Sequence, residues 1–198
     1  MKRTKQKIVL FVYLIALMAV SRTIPHPPNF TPVIAMAVFM PYLTRDLYSA
    51  MLVPLTAMFV SDLVIGWHST MFWVYASILL GTVLSHVTMA IKKTSVHLVT
   101  NGLLACTIFF VVTNFAVWIS GTMYPSTFEG LLTCYAMAIP FFGNTLAGTV
   151  FYITLLSLVS YSLTNVSRRY TKNEEDIISS LNIIAFTHRN TGRANSII

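Results

Sequence analysis

Asp62 and Arg22 are charged residues that lie within or directly beside long apolar runs of the sequence. Asp62 is inside the apolar run of residues 47–65, and Arg22 follows the apolar run of residues 8–21. A carboxylate within a membrane helix costs about 2.5–3.5 kcal/mol on insertion scales, so it normally faces a partner charge or water. We therefore predict that Asp62 meets Arg22. The pair is either a structural link between two helices or part of a ligand site, where it fixes the charge of a solute or gates its entry.

The segment SRTIPHPPNFTPVIAMAVF, residues 21–39, is rich in proline and in polar side chains. Proline fixes φ and removes a hydrogen-bond donor, so the sequence predicts a stiff, extended loop. Such a loop can hold His26 and Asn29 over a site. The segment also predicts a helix start, with Asn29 or Thr31 as N-cap and Pro32 at the first helical position. The free N–H groups of that start suit an anion or a ligand carbonyl.

Nine residues make up the predicted ligand-binding set. They are Arg22, His26, Asn29, Asp62, His68, Asn114, Trp118, Tyr135 and Asn144. Each has a simpler interpretation: loop histidines are usually solvated, tryptophans mark membrane interfaces, and amides link neighbouring helices. The sequence has no metal-ligand spacing, no H-E-x-x-H, no nucleophile elbow and no paired catalytic carboxylates. We therefore predict no metal, no cofactor and no enzyme.

The composition is that of a membrane protein. Hydrophobic residues make up 56% of the 198 positions, charged residues 10%, and the mean hydropathy is +0.72. The formal charge of +7 does not indicate nucleic-acid binding, because the basic residues cluster beside apolar runs and act as topology signals. Cys106 and Cys134 lie in apolar runs without disulfide or metal spacing, so we predict that both are buried packing residues.

Six segments are candidates for crossing the bilayer. They are residues 8–21, 33–43, 47–65, 71–91, 98–120 and 130–163. Lys and Arg collect on the cytoplasmic side, and six crossings with both termini inside leave Arg22 as the only one of 13 Lys and Arg residues outside. Other counts would place either Lys92 and Lys93, or Arg168 and Arg169, outside. The predicted fold is an all-α, six-helix transmembrane bundle in the bacterial cytoplasmic (inner) membrane.

Two of these segments have unusual lengths. Residues 33–43 are about half a normal span, and residues 130–163 are too long for one crossing, with a predicted break at residues 140–144. Residues 130–142 are therefore either a re-entrant half-helix on the outer side or an outward extension of the sixth helix. Irregular backbone at membrane depth needs protein or water around it, so the break indicates a cavity.

The predicted organisation has three parts. A basic cytoplasmic N-terminus covers residues 1–7, and the transmembrane domain covers residues 8–166. Residues 167–198 form a cytoplasmic tail that begins with a short amphipathic helix and ends as a loose segment.

Five short motifs together resemble those of a known family. They are R-x-x-P-H-P-P-N-F-T-P from Arg22, S-D-x-x-x-G-x-H from Ser61, T-N-F-x-V-W from Thr113, Y-P-x-T-x-x-G-L from Tyr124 and C-Y-x-x-A-I-P-F-F-x-N-T from Cys134. The set resembles a family of small bacterial membrane proteins catalogued as a domain of unknown function and often labelled as candidate transport proteins. That family is distantly similar to the substrate-binding S components of energy-coupling-factor (ECF) vitamin transporters. The resemblance implies six helices, cytoplasmic termini and a ligand pocket under the first outer loop.

Two functions of different classes follow from these observations. In the first, the chain binds a small solute at its outer face and takes part in its uptake, with the loop of residues 22–31 as a lid. The sequence has no G-x-x-x-x-G-K-[ST] motif, so energy would come from an ion gradient or from a transmembrane coupling subunit with ATPases. In the second, the chain is a structural or assembly subunit of a larger complex in the lipid bilayer and transports nothing.

Overall fold

The computed structural model describes residues 2–91 and 94–194, with side chains for residues 8–91, 94–162 and 165. This part of the chain contains six α-helices and no β-strand. They are α1 (Lys2–Thr23), α2 (Val33–Leu43), α3 (Leu47–Ile65), α4 (Met71–Ile91), α5 (Ser95–Ile119) and α6 (Phe128–Ala194). The prediction of an all-α protein with six helices is confirmed. The chain divides into two compact units, Met1–Leu155 and Leu156–Ile198.

Four helical stretches among the described residues are long and apolar enough to cross a membrane. They are Leu47–Ile65, Met71–Ile91, Ser95–Ile119 and Phe128–Ser162, while Ile8–Thr23 and Val33–Leu43 are apolar but shorter. Many large apolar side chains on the long helices are exposed, among them Leu63, Leu80 and Leu103. Exposed apolar side chains of this kind suit helices that face lipid. The architecture is that of a membrane protein.

Helix α2 is the most buried helix among the described side chains of the first unit, and it is short. Its 11 residues extend about 16 Å, whereas α3, α4 and α5 have 19, 21 and 25 residues. Residues 33–41 are all buried, which is typical of a helix that is apolar on every side. It packs against α3, α4 and α5. Because these neighbours are longer, they enclose volume that α2 does not fill.

The unfilled volume lies at the end of the bundle where α2 begins. Short connections at residues 44–46 and 66–70 make α2 and α4 run in the same direction. The hydroxyl of Ser85, 14 residues after the start of α4, donates at 2.9 Å to the carbonyl of Val38, which is only five residues after the start of α2. The first half of α4 therefore extends beyond the start of α2. We call this end, where α1 and α3 end and α2 and α4 begin, the Arg22 end.

Helix α6 runs without interruption past Pro140, so the predicted break at residues 140–144 is wrong. Proline removes one backbone donor, and a membrane helix tolerates that loss when its surroundings compensate. Residues 130–142 are thus the first part of α6, as in the alternative of an extended sixth helix, and do not form a half-helix. This part packs on α5, where the Tyr135 hydroxyl donates to the carbonyl of Val111 at 2.7 Å.

Some predictions fall on residues that the structure does not describe. Lys92 and Lys93 lie outside the described residues, as do the side chains of residues 1–7 and 167–198. The basic N-terminus and the amphipathic tail therefore stay predictions. Cys106 and Cys134 are both buried, as predicted.

Candidate functional site

Arg22, Ser61, Asp62 and Tyr75 form one hydrogen-bonded group, which we call the Arg22 cluster. Nη1 of Arg22 donates to Oδ1 of Asp62 at 2.7 Å, to the carbonyl of Met58 at 3.2 Å and to the Ser61 hydroxyl. The Tyr75 hydroxyl donates to Oδ2 of Asp62 at 2.8 Å. The predicted contact between Asp62 and Arg22 is confirmed.

The Arg22 cluster joins three helices at their ends. Arg22 lies in the last turn of α1, where a cation also interacts favourably with the helix dipole. Asp62 lies near the end of α3, and the short connection at residues 66–70 folds α4 back so that Tyr75 reaches it. The side chain of Asp62 is 1% exposed and that of Arg22 is 14% exposed. Removing either partner would therefore leave a charge buried without compensation.

The two partners differ in how completely they are satisfied. Both carboxylate oxygens of Asp62 accept hydrogen bonds. Only Nη1 of Arg22 hydrogen-bonds to the described residues, which leaves Nε and Nη2 on one edge of the guanidinium. A guanidinium edge donates two parallel hydrogen bonds to a carboxylate or phosphate group. Arg22 is thus fixed in position and still has donors for a ligand.

A cavity of about 370 Å³, the first cavity, adjoins the Arg22 cluster. Its wall includes at least one residue from each of the six helices. The lining residues are Arg22, His26, Asn29, Thr31, Val33, Ile34, Met58, Ile65, His68, Val74, Phe109 and Thr145. Val33 and Ile34 begin α2, so the cavity occupies the volume that the short helix leaves unfilled. Its size falls within the range of ligand pockets, about 300–1,000 Å³.

The sequence predicts an extended loop between α1 and α2, but the structure has a tight turn there. The N–H of Phe30 donates to the carbonyl of Pro27 at 3.0 Å, and Asn29 has a φ of 64°. Proline at the second position, Pro28, and asparagine with positive φ at the third are typical of a type II β-turn. The prolines stiffen the loop through this turn.

The start of α2 also differs from the prediction. Pro32 occupies the N-cap position, and none of the described side chains caps the helix, so the predicted cap by Asn29 or Thr31 is wrong. Asn29 is used in the turn, and its carbonyl accepts the N–H of Thr31 at 3.0 Å. The loop geometry therefore takes precedence over side-chain capping.

Close packing on α6 holds the turn in place. The ring of Phe30 lies 5.8 Å from that of Phe151 and 5.9 Å from that of Tyr152. Gly148 faces the backbone of the turn, where an added Cβ would lie 3.2 Å from Cα of Phe30 and 3.3 Å from the nitrogen of Thr31. Glycine at position 148 thus allows the loop to approach α6 closely.

A second cavity of about 210 Å³ shares part of its wall with the first. Asn29, Val74, Phe109 and Thr145 line both. The other lining residues of the second cavity are Phe110, Thr113, Asn114, Val117, Ala138, Phe141 and Phe142. Four of its eleven lining residues are phenylalanines, so the second cavity carries most of the aromatic rings, whereas the first carries the guanidinium and the two imidazoles.

Six of the nine predicted site residues lie at these cavities or in the Arg22 cluster. They are Arg22, His26, Asn29, Asp62, His68 and Asn114. The two histidines are exposed, and each has a local hydrogen-bond contact: Nδ1 of His26 with the carbonyl of Pro27, and Nδ1 of His68 with the hydroxyl of Thr70.

The other three predicted residues line neither cavity. Nε1 of Trp118 donates to the carbonyl of Pro125 at 3.0 Å and so holds the connection between α5 and α6. The Tyr135 hydroxyl donates to the carbonyl of Val111 and so joins α6 to α5. Asn144 is half-buried on α6. The polar groups of all three residues were predicted to face a ligand. Those of Trp118 and Tyr135 instead donate hydrogen bonds to backbone carbonyls.

Sequence reasoning missed several residues of the Arg22 cluster, of the cavity walls and of the buried polar contacts. Tyr75 could have been found, because the short connection at residues 66–70 pairs position 62 with positions near 75. Phe109 and Phe110 carried no signal, since phenylalanine is common in every membrane helix. A second buried polar group was also missed: Asn101 donates to Thr88 at 2.6 Å and to Ser85 at 3.4 Å. We call these three residues the Asn101 network.

Comparison with family models gives a match over residues 2–172 to a family described as Family of unknown function (DUF6580). This result confirms the predicted membership in a family of uncharacterised proteins. No curated protein and no solved structure matches the chain.

Proposed function

The chain belongs to this family of unknown function, and we propose that it binds a small polar solute in the first cavity and takes part in the uptake of that solute. One observation carries the proposal. The guanidinium of Arg22, held by the buried carboxylate of Asp62, lies in the wall of a cavity of about 370 Å³ and keeps two nitrogens without a described partner.

The chemistry of the wall supports solute binding over simple packing. An ion pair that only links helices needs no empty volume beside it, and empty volume in a packed bundle costs stability. Here the volume follows from the length of α2, and polar groups from several elements converge on it. Small-molecule sites combine an apolar wall with convergent polar groups, and six of the twelve residues that line the first cavity are polar.

The orientation in the membrane follows from charge. We place the Arg22 end on the non-cytoplasmic side of the bacterial cytoplasmic membrane and both termini in the cytoplasm, because Lys and Arg favour the cytoplasmic side. The cavity would then receive solute from outside, under the loop that carries His26. Energy would come from an ion gradient or from a coupling subunit with ATPases, as in the S components of ECF transporters.

Filling the first cavity tests the proposal. Val74→Trp introduces a large side chain at a position that lines both cavities, and Val87→Trp does the same at a position of α4 that is 54% exposed. Both variants and the wild type are purified in mild detergent, and small molecules released by denaturation are identified by mass spectrometry. We expect a solute that is retained by the wild type and by Val87→Trp but is lost in Val74→Trp. If the three preparations release the same molecules in the same amounts, the first cavity is not a solute site.

The alternative is a membrane-embedded assembly subunit, and the length of α6 favours it. The helix continues beyond its apolar part, past Arg168 and Arg169, as far as Ala194. A long polar continuation of a membrane helix is suited to contact with a partner protein. This function predicts that a partner protein co-purifies in a stoichiometric amount in gentle detergent and is lost when residues 167–198 are removed. It also predicts that the first cavity holds no solute.

A further inference from the structure

We propose that the solute is a small carboxylate that also carries an aromatic or similarly flat apolar group; this inference rests on the proposed function. The two adjoining cavities form one site with two chemically different compartments. The first cavity would hold the carboxylate, and the second would hold the ring. Three observations carry the proposal: the charge of the wall, the free edge of Arg22 and the phenylalanines of the second cavity.

The one formal charge among the residues that line the two cavities is positive. It belongs to Arg22, and no Asp or Glu is among the lining residues. The negative partner of Arg22 is Asp62, whose side chain is 1% exposed and lies behind the wall. A solute therefore meets the cation of the pair and not the anion. This arrangement favours an anionic solute and disfavours a cationic one.

The geometry of Arg22 favours a planar anion. Nη1 is occupied by Asp62, Ser61 and Met58, so the guanidinium cannot turn freely. Nε and Nη2 form the remaining edge, and their two N–H groups are parallel, which matches the two oxygens of a carboxylate. A lysine at this position would provide charge but not the paired donors.

The second cavity favours a flat apolar group. Phe109, Phe110, Phe141 and Phe142 line it, and the rings of Phe110 and Phe142 lie 4.7 Å apart. Aromatic groups stack on such side chains with a preference beyond that of buried area alone. Because Asn29, Val74, Phe109 and Thr145 line both cavities, one small molecule can occupy both at once.

Four probe compounds separate the two requirements. Phenylacetate has the anion and the ring, phenylacetamide has the ring without the charge, acetate has the anion without the ring, and phenethylamine has the ring with a positive charge. Binding to the full-length protein in detergent is measured by isothermal titration calorimetry. We expect phenylacetate to bind at least about tenfold more tightly than each of the other three. Equal affinity for phenylacetate and phenylacetamide, or no binding of phenylacetate, would overturn the proposal.

Two variants assign each requirement to its residue. Arg22→Lys retains a cation for Asp62, so the fold is kept. We expect this variant to bind phenylacetate at least about tenfold more weakly than the wild type and to bind phenylacetamide with unchanged affinity. Phe110→Leu should lower the affinity for phenylacetate about two- to tenfold and leave the affinity for acetate unchanged. Phe115→Leu, a change on the exposed part of α5 outside both cavities, is the matched control. Variants that preserve the preference for phenylacetate would contradict the assigned roles.

The solute released in the Val74→Trp comparison distinguishes the two levels of the proposal. If that molecule is cationic or lacks a flat apolar group, the inference about its class is wrong and the proposed function stands. If no molecule depends on the cavity, the proposed function itself is wrong.

Discussion

The Arg22 cluster and the Asn101 network are both buried polar groups that join three helices, but they differ in what surrounds them. Ser85 joins α4 to α2, and Asn101 joins α5 to α4, with side chains that are 0% and 2% exposed. None of the three network residues lines either cavity. The Arg22 cluster adjoins the first cavity and keeps donors without a described partner. Under the proposed function, the Asn101 network has a structural role, whereas the Arg22 cluster has a structural and a binding role.

The cause of the difference is the length of α2. Around Val38 the helix fills the space between its neighbours, so polar side chains there satisfy each other or the backbone. Toward the Arg22 end α2 extends only as far as its first residue, Val33, whereas α3, α4 and α5 continue. Arg22 lies at that depth and lines the first cavity. A buried polar residue beside a short helix is therefore a candidate ligand contact only if it lies beyond the end of that helix.

The largest expected effect separates the two roles of the Arg22 cluster. Asp62→Ala leaves the guanidinium of Arg22 buried without its partner, so we expect a loss of about 3–5 kcal/mol in the free energy of unfolding. Thermal unfolding in detergent measures it. The double variant Arg22→Met with Asp62→Leu replaces the pair by apolar side chains and should recover most of the stability, but not solute binding. Solute binding by a stable double variant would show that the cluster is structural only.

The next effect concerns the Asn101 network. Asn101→Leu removes its hydrogen bonds to Thr88 and Ser85 at similar side-chain size. We expect a loss of about 1 kcal/mol in stability, which is the usual size for polar contacts between membrane helices. The affinity for the solute should equal that of the wild type, as measured by calorimetry. A large loss of affinity in a folded protein would remove the distinction between the two regions.

A smaller effect is expected at the contact between the loop and α6. Gly148→Ala places a Cβ 3.2 Å from Phe30, so the turn that carries Asn29 must shift by a few tenths of an ångström. We expect a few-fold loss of solute affinity. Gly143→Ala is the matched control, because an added Cβ there meets nothing within 4 Å, and the change should raise helix stability by up to about 1 kcal/mol. The same affinity in both variants would show that the loop position does not shape the site.

The smallest effect belongs to an exposed polar group that takes part in neither region. Asp46 caps α3 by accepting hydrogen bonds from the hydroxyl and the N–H of Ser49, and these bonds hold the pKa of Asp46 below its usual value of 3.8. Because the folded-state pKa is lowered, the stabilisation is complete above pH 3.8 and is lost as the pH falls through the lower value. As the pH falls through that range, the melting temperature of Asp46→Asn should decrease less than that of the wild type. An unchanged decrease would show that the cap does not contribute.

Much of the fold could be predicted because apolar runs and their charged ends determine where membrane helices lie. The predicted bounds of α2, α3 and α4 agree with the structure, since each is closed by polar residues, glycine or proline. The error at Pro140 arose because proline breaks exposed helices more readily than packed membrane helices. The dipeptide Pro28-Asn29 is typical of the centre of a turn. The sequence-based prediction instead gives the proline a role in an extended loop and the asparagine a role as helix cap.

The candidate site could be predicted only in part. Arg22 and Asp62 were found because charges are rare in apolar runs, and their pairing follows from the cost of isolating either one. The roles of Trp118 and Tyr135 could not be predicted, since aromatic residues with polar atoms bind backbone carbonyls and ligands equally well. Which of the two occurs depends on the packing of α5 on α6. Likewise, Asn101 and Asn114 look alike in sequence, but of these two residues only Asn114 lines the first or the second cavity.

The central claim is that the first cavity opens to the non-cytoplasmic side, whereas the Asn101 network is closed. Single-cysteine variants His26→Cys and Asn101→Cys, in a background of Cys106→Ala and Cys134→Ala, can be exposed in intact cells to a thiol reagent that does not cross membranes. We expect His26→Cys to react from outside and Asn101→Cys to stay unreacted until the protein is denatured. Reaction of His26→Cys only after the cells are made permeable would contradict this account.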